Sequence, residues 1–130
     1  DHAQGIDLVI SKGRIGENYN IGGHNEWANI DIVKVVCKLM NEAFNASDNK
    51  LQLKTQFPLA LSAINNNAES FITFVEDRAG HDWRYAIDAT KTNNELAYRP
   101  EESFETGIKK TVEWYLNNES WWKPLINKLN

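Results

Sequence analysis

The chain has 130 residues, 42% of them hydrophobic and 25% charged, with a formal net charge of −4 and a pI near 5.4. That is the length of one domain, able to bury roughly two thirds of its unfolded surface. The acidic balance argues against a polyanion or nucleic-acid binder, which needs clustered Lys and Arg. No apolar run approaches the length of a membrane span, so no membrane partner is expected. A lone Cys37 rules out an intrachain disulfide and fits a reducing compartment such as the cytoplasm. The chain opens on Asp1 and its single methionine is Met40, which leads us to expect a segment of a longer protein.

In chain order, Ala3, Ile6, Val9 and Ile10 recur at helical spacing and predict a helix to about Lys12, with Gly13 as its stop. Glu17 to Ile21 reads as a short strand ended by Gly22-Gly23. Asn29 is a plausible N-cap for a helix reaching about Phe44, with Asp31 in its first turn. Ile32, Val36, Leu39, Met40 and Ala43 line one face of it, and Cys37 is expected as a small buried residue.

Residues 45–69 are rich in Asn, Ala, Ser and Lys around Pro58, and read as a long excursion, partly disordered or carrying a weak helix around 58–65. Phe71 to Val75 is β-favouring and apolar, and predicts a strand. A charged segment follows, then a short extended piece at 84–87 and a helix from about Ala89 to Ala97. Beyond Pro100, Ser103 is placed to cap an amphipathic helix carrying Phe104, Ile108, Val112 and Tyr115 on one face. A last short helix is expected from Ser120 to Leu129, its Trp121 and Trp122 reading, like Trp114, as packing residues. The predicted class is α/β and helix-rich, with a small parallel strand pair joined through a helix. A pair of strands alone makes no adequate sheet, so its edges are expected to lie against something further.

The segment "FVEDRAGHDWRYAID" (74–88) poses the functional question. A His81–Asp82 acid–base pair is disfavoured, because neighbours on an extended segment point to opposite sides. The three histidines are widely separated and no His-x-x-x-His spacing occurs, so no metal site is expected. A ligand clamp is physically coherent: Arg78 offers a fork of donors suited to phosphate, Gly80 permits close backbone approach, and His81 adds a donor. A solvated turn in which Asp77, Arg78, Asp82 and Arg84 pair among themselves explains the same residues equally well. Asn29 stands between the same alternatives, a helix cap or a ligand contact. Neither a G-x-G-x-x-G fingerprint nor a Tyr-x-x-x-Lys pair is present, so redox chemistry cannot be assembled from this chain alone.

The stretches "GENYNIGGHNEWANIDIV" (16–33) and "FVEDRAGHDWRYAIDATKTNNELAYRPEESFETGIKKTVEWYLNN" (74–118), with the pair Trp121-Trp122, resemble the dTDP-glucose 4,6-dehydratase family of extended short-chain dehydrogenases/reductases. The string D-R-x-G-H-D-x-R-Y-A-I-D is its narrowest feature. The resemblance implies that residues 1–130 form the C-terminal, substrate-binding part of such an enzyme, a homodimer in this family and an NAD-dependent lyase. There, a tyrosine and NAD oxidise the sugar at C4, an acidic pair eliminates water across C5 and C6, and hydride returns to C6. Those catalytic groups and the NAD site belong to the N-terminal portion, so this chain alone is expected to be inactive.

What the resemblance carries onto this sequence is contact with dTDP-glucose or a related nucleotide sugar, by Asn29 and by Asp77, Arg78, Ala79, Gly80 and His81. The sequence departs from the family pattern at Ala79, usually proline, and at Trp83, often arginine. Losing the proline loosens the turn by about 0.5–1 kcal/mol through the unfolded chain. A related nucleotide-sugar epimerase and a non-catalytic interaction module are the competing readings, and self-association of the chain is a further expectation.

Overall fold

The computed structural model describes residues 1–23, 25–46, 50–80 and 86–126. Among them it is built of helices: α1 (His2–Lys12), α2 (Asn29–Asn45), α3 (Lys50–Gln56), α4 (Leu61–Ile64), α5 (Thr90–Leu96), α6 (Phe104–Asn117) and α7 (Glu119–Ile126). A 3₁₀ turn (Ala68–Phe71) follows α4. The chain divides into two compact units, one formed by 1–26 with 78–106, the other by 27–77 with 107–130.

In the first unit α1 ends where expected, at Gly13, whose N–H bonds to the carbonyl of Val9. Gly5 is buried against Ile21, and a Cβ there would lie 2.5 Å from Ile21 Cγ2. α5 buries Thr92 and Leu96, and Ala89 and Tyr98 at its two ends are also buried. The left-handed Ala97 (φ 57°) closes α5. Asp1 accepts hydrogen bonds from the backbone N–H groups of Glu101 and Glu102, both at 3.0 Å, and so ties the start of α1 to the approach to α6. Ser103 caps α6 as its sequence suggested: its Oγ accepts from the Thr106 N–H (3.3 Å) while its own N–H donates to Thr106 Oγ1 (3.0 Å).

The expected strand at 17–21 does not form among the described residues. The segment lies instead along α5, two of whose side chains take its backbone carbonyls, while an Asn20 side-chain bond reaches the residue just before that helix. Lys91 Nζ donates to the Asn18 carbonyl (3.1 Å), Thr92 Oγ1 to the Asn20 carbonyl (2.5 Å), and Asn20 Nδ2 to the Asp88 carbonyl (3.0 Å). A segment whose polar groups are met by side chains has no need of a ladder.

The second unit is organised around Phe44, which is fully buried, with Leu53, Ala63, Ala68 and Leu116. Cys37, Met40 and Ala43 pack against this core from α2, and Val112 from α6. Cys37 is half-buried rather than buried. Desolvation pushes its thiol pKa up, with Glu69 adding to the effect. The described residues 50–69 are more ordered than their composition implied, since Leu53 of α3 and Ala63 of α4 belong to the core. Polar contacts from α2 hold it. Buried Asn41 accepts the Ala68 N–H (2.9 Å) and donates to Glu69 (3.1 Å), and Asn45 donates to the Ala63 carbonyl (3.0 Å).

The expected strand at 71–75 is also absent from the described residues. Phe71 closes the 3₁₀ turn, and Phe74 and Val75 are more than four-fifths exposed. A β-favouring run is only a candidate strand, and without an adjacent strand it has no ladder to join.

The aromatic residues near the C-terminus do pack, in part. Trp122 stacks on Phe57 (6.3 Å between ring centroids, 10° between planes) and donates its indole N–H to the Tyr115 carbonyl (2.8 Å). Trp114 and Trp121 meet edge to face at 5.1 Å while both stay substantially exposed. α7 begins one residue earlier than expected, and the end predicted for it at Leu129 lies outside the described residues.

Candidate functional site

Asn29 is the first helical residue of α2 and is exposed. It is not the cap: Ala28 occupies that position, and its carbonyl receives the N–H groups of Asp31 and Ile32 at 3.0 and 3.2 Å. An amide expected to close the helix is therefore left in solvent at the helix start, where N–H groups and the positive end of the dipole favour an anion.

Asp77 belongs to the second unit and is exposed, and Arg78, Ala79 and Gly80 belong to the first. These three form a contiguous exposed stretch with a turn at Ala79-Gly80. Gly80 has φ +72°, a left-handed conformation that residues other than glycine rarely adopt, and a Cβ added there would meet nothing within 4 Å. Glycine is required here by backbone conformation rather than by crowding. An exposed arginine fork beside a glycine turn of this kind is suited to gripping a phosphate or hydroxyl-bearing ligand. His81 and the Asp82–Tyr85 stretch lie outside the described residues.

Sequence reading missed how the charged segment rejoins its unit. Ile87 packs over Gly22, where a Cβ would come within 3.2 Å of Ile87 Cγ2. Asp88 receives the Asn20 amide on its carbonyl and the Thr90 N–H on its carboxylate (2.9 Å).

Beside this junction lies a polar network that fastens 14–20 to α5. Arg14 Nη2 and the Tyr19 hydroxyl reach opposite oxygens of Glu95 at 2.7 and 2.9 Å. Lys91 pairs with Glu17 at 2.6 Å and lies 4.8 Å from the centre of the Tyr19 ring. The signal was present in the sequence, because Lys91 and Glu95 are four apart on a helix and share a face. The hydrogen bond from Tyr19 and then the Arg14 pair hold the Glu95 carboxyl below its usual range, and Lys91 does the same to Glu17. Arg14 and Lys91 are raised in turn, Arg14 chiefly through Tyr19 and then Glu95, Lys91 through Glu17.

Among the described residues no group of three or more His, Cys, Asp or Glu side chains is placed to hold a metal ion, and no helix is long and apolar enough to cross a membrane.

The chain belongs to the GDP-mannose 4,6 dehydratase family, whose model matches residues 1–111. It is 45% identical over 127 residues to dTDP-glucose 4,6-dehydratase of Neisseria meningitidis serogroup B, covering 98% of this chain and 32% of the relative. It is 46% identical over 129 residues to the probable dTDP-glucose 4,6-dehydratase of Sinorhizobium fredii, again over 32% of that protein. The crystal structure of dTDP-glucose 4,6-dehydratase from Bacillus anthracis, in complex with NAD, superposes with a TM-score of 0.67 at 38% identity, covering 95% of this chain and 31% of that one. The chain thus spans about a third of the length of the relatives it matches. The helix-rich, C-terminal portion of an extended short-chain dehydrogenase anticipated from the sequence is the architecture found.

Proposed function

We propose that this chain is the C-terminal, nucleotide-sugar-binding portion of a dTDP-glucose 4,6-dehydratase. In that reading residues 1–130 are one substrate-binding region. The whole enzyme converts dTDP-glucose to dTDP-4-keto-6-deoxyglucose for deoxysugar (rhamnose) biosynthesis, as a cytoplasmic homodimer. The observation that carries this reading is the 45% identity to the N. meningitidis dehydratase across 98% of the chain. Asn29 and the Asp77-Arg78-Ala79-Gly80-His81 segment would hold the dTDP-sugar, with Arg78 on its diphosphate or hydroxyl oxygens.

NAD does not fit the residues present here. The positive-φ glycines among the described residues, Gly16 and Gly80, lie on exposed turns, and neither precedes a helix in the manner of a dinucleotide cradle. NAD binding and the redox steps are accordingly assigned to residues outside this chain.

Supplied with dTDP-glucose and NAD, the 130-residue chain should form no 4-keto product, and measured turnover would contradict its assignment as a binding portion. In the complete enzyme, Arg78→Ala should raise KM about 10-fold or more, the scale of one charge-assisted hydrogen bond. An unchanged KM would remove Arg78 from the clamp.

A further inference from the structure

We infer that the α6–α7 face is a self-association surface, on which a second copy of this chain docks about a two-fold axis. An apolar groove of about 750 Å³ opens there within the second unit. Its lining runs from Phe44 and Leu116, both buried, out to Tyr115, Trp121, Leu125 and Ile126 at the surface. Trp114 extends the patch, meeting Tyr115 and Trp121 edge to face at 5.2 and 5.1 Å. Two polar groups of the lining are already satisfied. The Thr111 hydroxyl donates to the Gly107 carbonyl (2.9 Å), and the Trp122 indole N–H to the Tyr115 carbonyl (2.8 Å).

The size of the face argues for a second copy. Trp114, Tyr115, Trp121, Leu125 and Ile126 are each between 42% and 59% exposed. At roughly 200 Å² for an aromatic side chain and somewhat less for an aliphatic one, they leave about 500 Å² of apolar surface open. A stable interface takes about 800 Å² from each partner, of which about 65% is apolar in homodimers, so the two areas match. Charge permits the contact. The second unit contains eight basic and eight acidic residues, and the net charge of −4 falls in the first. Two copies meeting through the second unit therefore bring no net charge together, a condition that favours association. A face that is groove and ridge at once is self-complementary under a two-fold axis, with Leu125 and Ile126 of each copy filling the groove of the other.

The test is sedimentation of the 130-residue chain across concentrations, with the indole N–H signals followed on dilution. The mass should rise from 14.9 kDa to twice that value. A dissociation constant of about 1–10 μM is expected, the weak end of the range for such an area. The Trp114 and Trp121 signals should move as the dimer is diluted. Leu125→Glu should raise the dissociation constant about 30-fold or more, the scale of a central anchor. Ile15→Glu, in the other unit, should leave it unchanged. The dilution shifts need no substitution, so the inference stays testable should Leu125→Glu fold poorly.

A chain that stays at 14.9 kDa up to ~100 μM, well above the expected constant, overturns the inference. So does a dimer that Leu125→Glu leaves intact, or one whose dilution leaves Trp114 and Trp121 unmoved. If the chain stays monomeric while anilinonaphthalene sulfonate shifts those two indoles, the groove holds a small apolar ligand and the second copy is again ruled out. Self-association is separate from the nucleotide-sugar reading, and either can fail while the other stands.

Discussion

At the scale of single residues, glycines show most directly which positions the backbone dictates. Gly80 sits at φ +72° in open space, so Gly80→Ala meets no atom but carries about 1–2 kcal/mol of left-handed strain. We expect a lower urea midpoint and altered signals at Ala79 and Gly80, and unchanged values would mean that the left-handed turn is not held. Gly5 is the opposite case: its backbone is ordinary, but a Cβ would fall 2.5 Å from Ile21 Cγ2. Gly5→Ala should therefore destabilise by about 1–3 kcal/mol through overpacking, measured by the same titration. The sequence signalled Gly80, because a glycine between charged residues after an apolar run marks a turn. It did not signal Gly5, which lies inside a helical pattern and owes its size to a residue sixteen positions away. Asn29 shows a related limit. Its residue type suits a cap and a ligand contact alike, and the structure gives the cap position to Ala28.

At the scale of elements, the helices were readable because apolar residues at 3.6-residue spacing mark a buried face whatever the partner. α1, α2 and α5 begin and end within two residues of their sequence-derived limits, and α6 begins at its own. The strands were not readable, because apolar and β-branched composition reports only suitability for a ladder. At 17–21 the competing partners were side chains of α5, and the fully buried Thr92 is the clearest of them. Thr92→Val preserves shape while removing the donor to the Asn20 carbonyl, and should cost about 1–2 kcal/mol in chemical denaturation. A loss near zero would show that the hydroxyl is not holding the segment. The excursion at 45–69 was underestimated because asparagines on α2, rather than apolar periodicity, fix much of it. Asn41→Leu should cost about 1–3 kcal/mol by stranding the Ala68 N–H, and it should raise hydrogen exchange at 61–71 before it affects α2.

At the scale of the whole molecule, the acidic net charge says little about the anionic ligand we propose, because the local placement of Arg78 matters more than the sum. The same local pairing sets the response to pH. The carboxylates of Glu17, Glu95 and Glu119 are held below their usual range, by Lys91, by Tyr19 with Arg14, and by Lys123 respectively. Lowered folded values mean that their contribution is present above the ordinary carboxylate range, near about 4.3, and is lost as pH falls through the lower folded values. All three are solvent-exposed pairs, so the loss should be small and should flatten further in 1 M salt. Melting temperatures recorded from pH 7 to pH 3 at low and high salt check both statements.

The family's narrow motif pointed to the proposed ligand class, but the residues proposed to contact it lie far apart in sequence, beyond the reach of periodicity. The most direct test of the account is a titration of the ¹⁵N-labelled 130-residue chain with dTDP-glucose. Saturable amide shifts at Asn29, Arg78, Ala79 and Gly80, absent in Arg78→Ala, are the predicted result. No shift at those residues, or equal shifts in the Arg78→Ala variant, would contradict it.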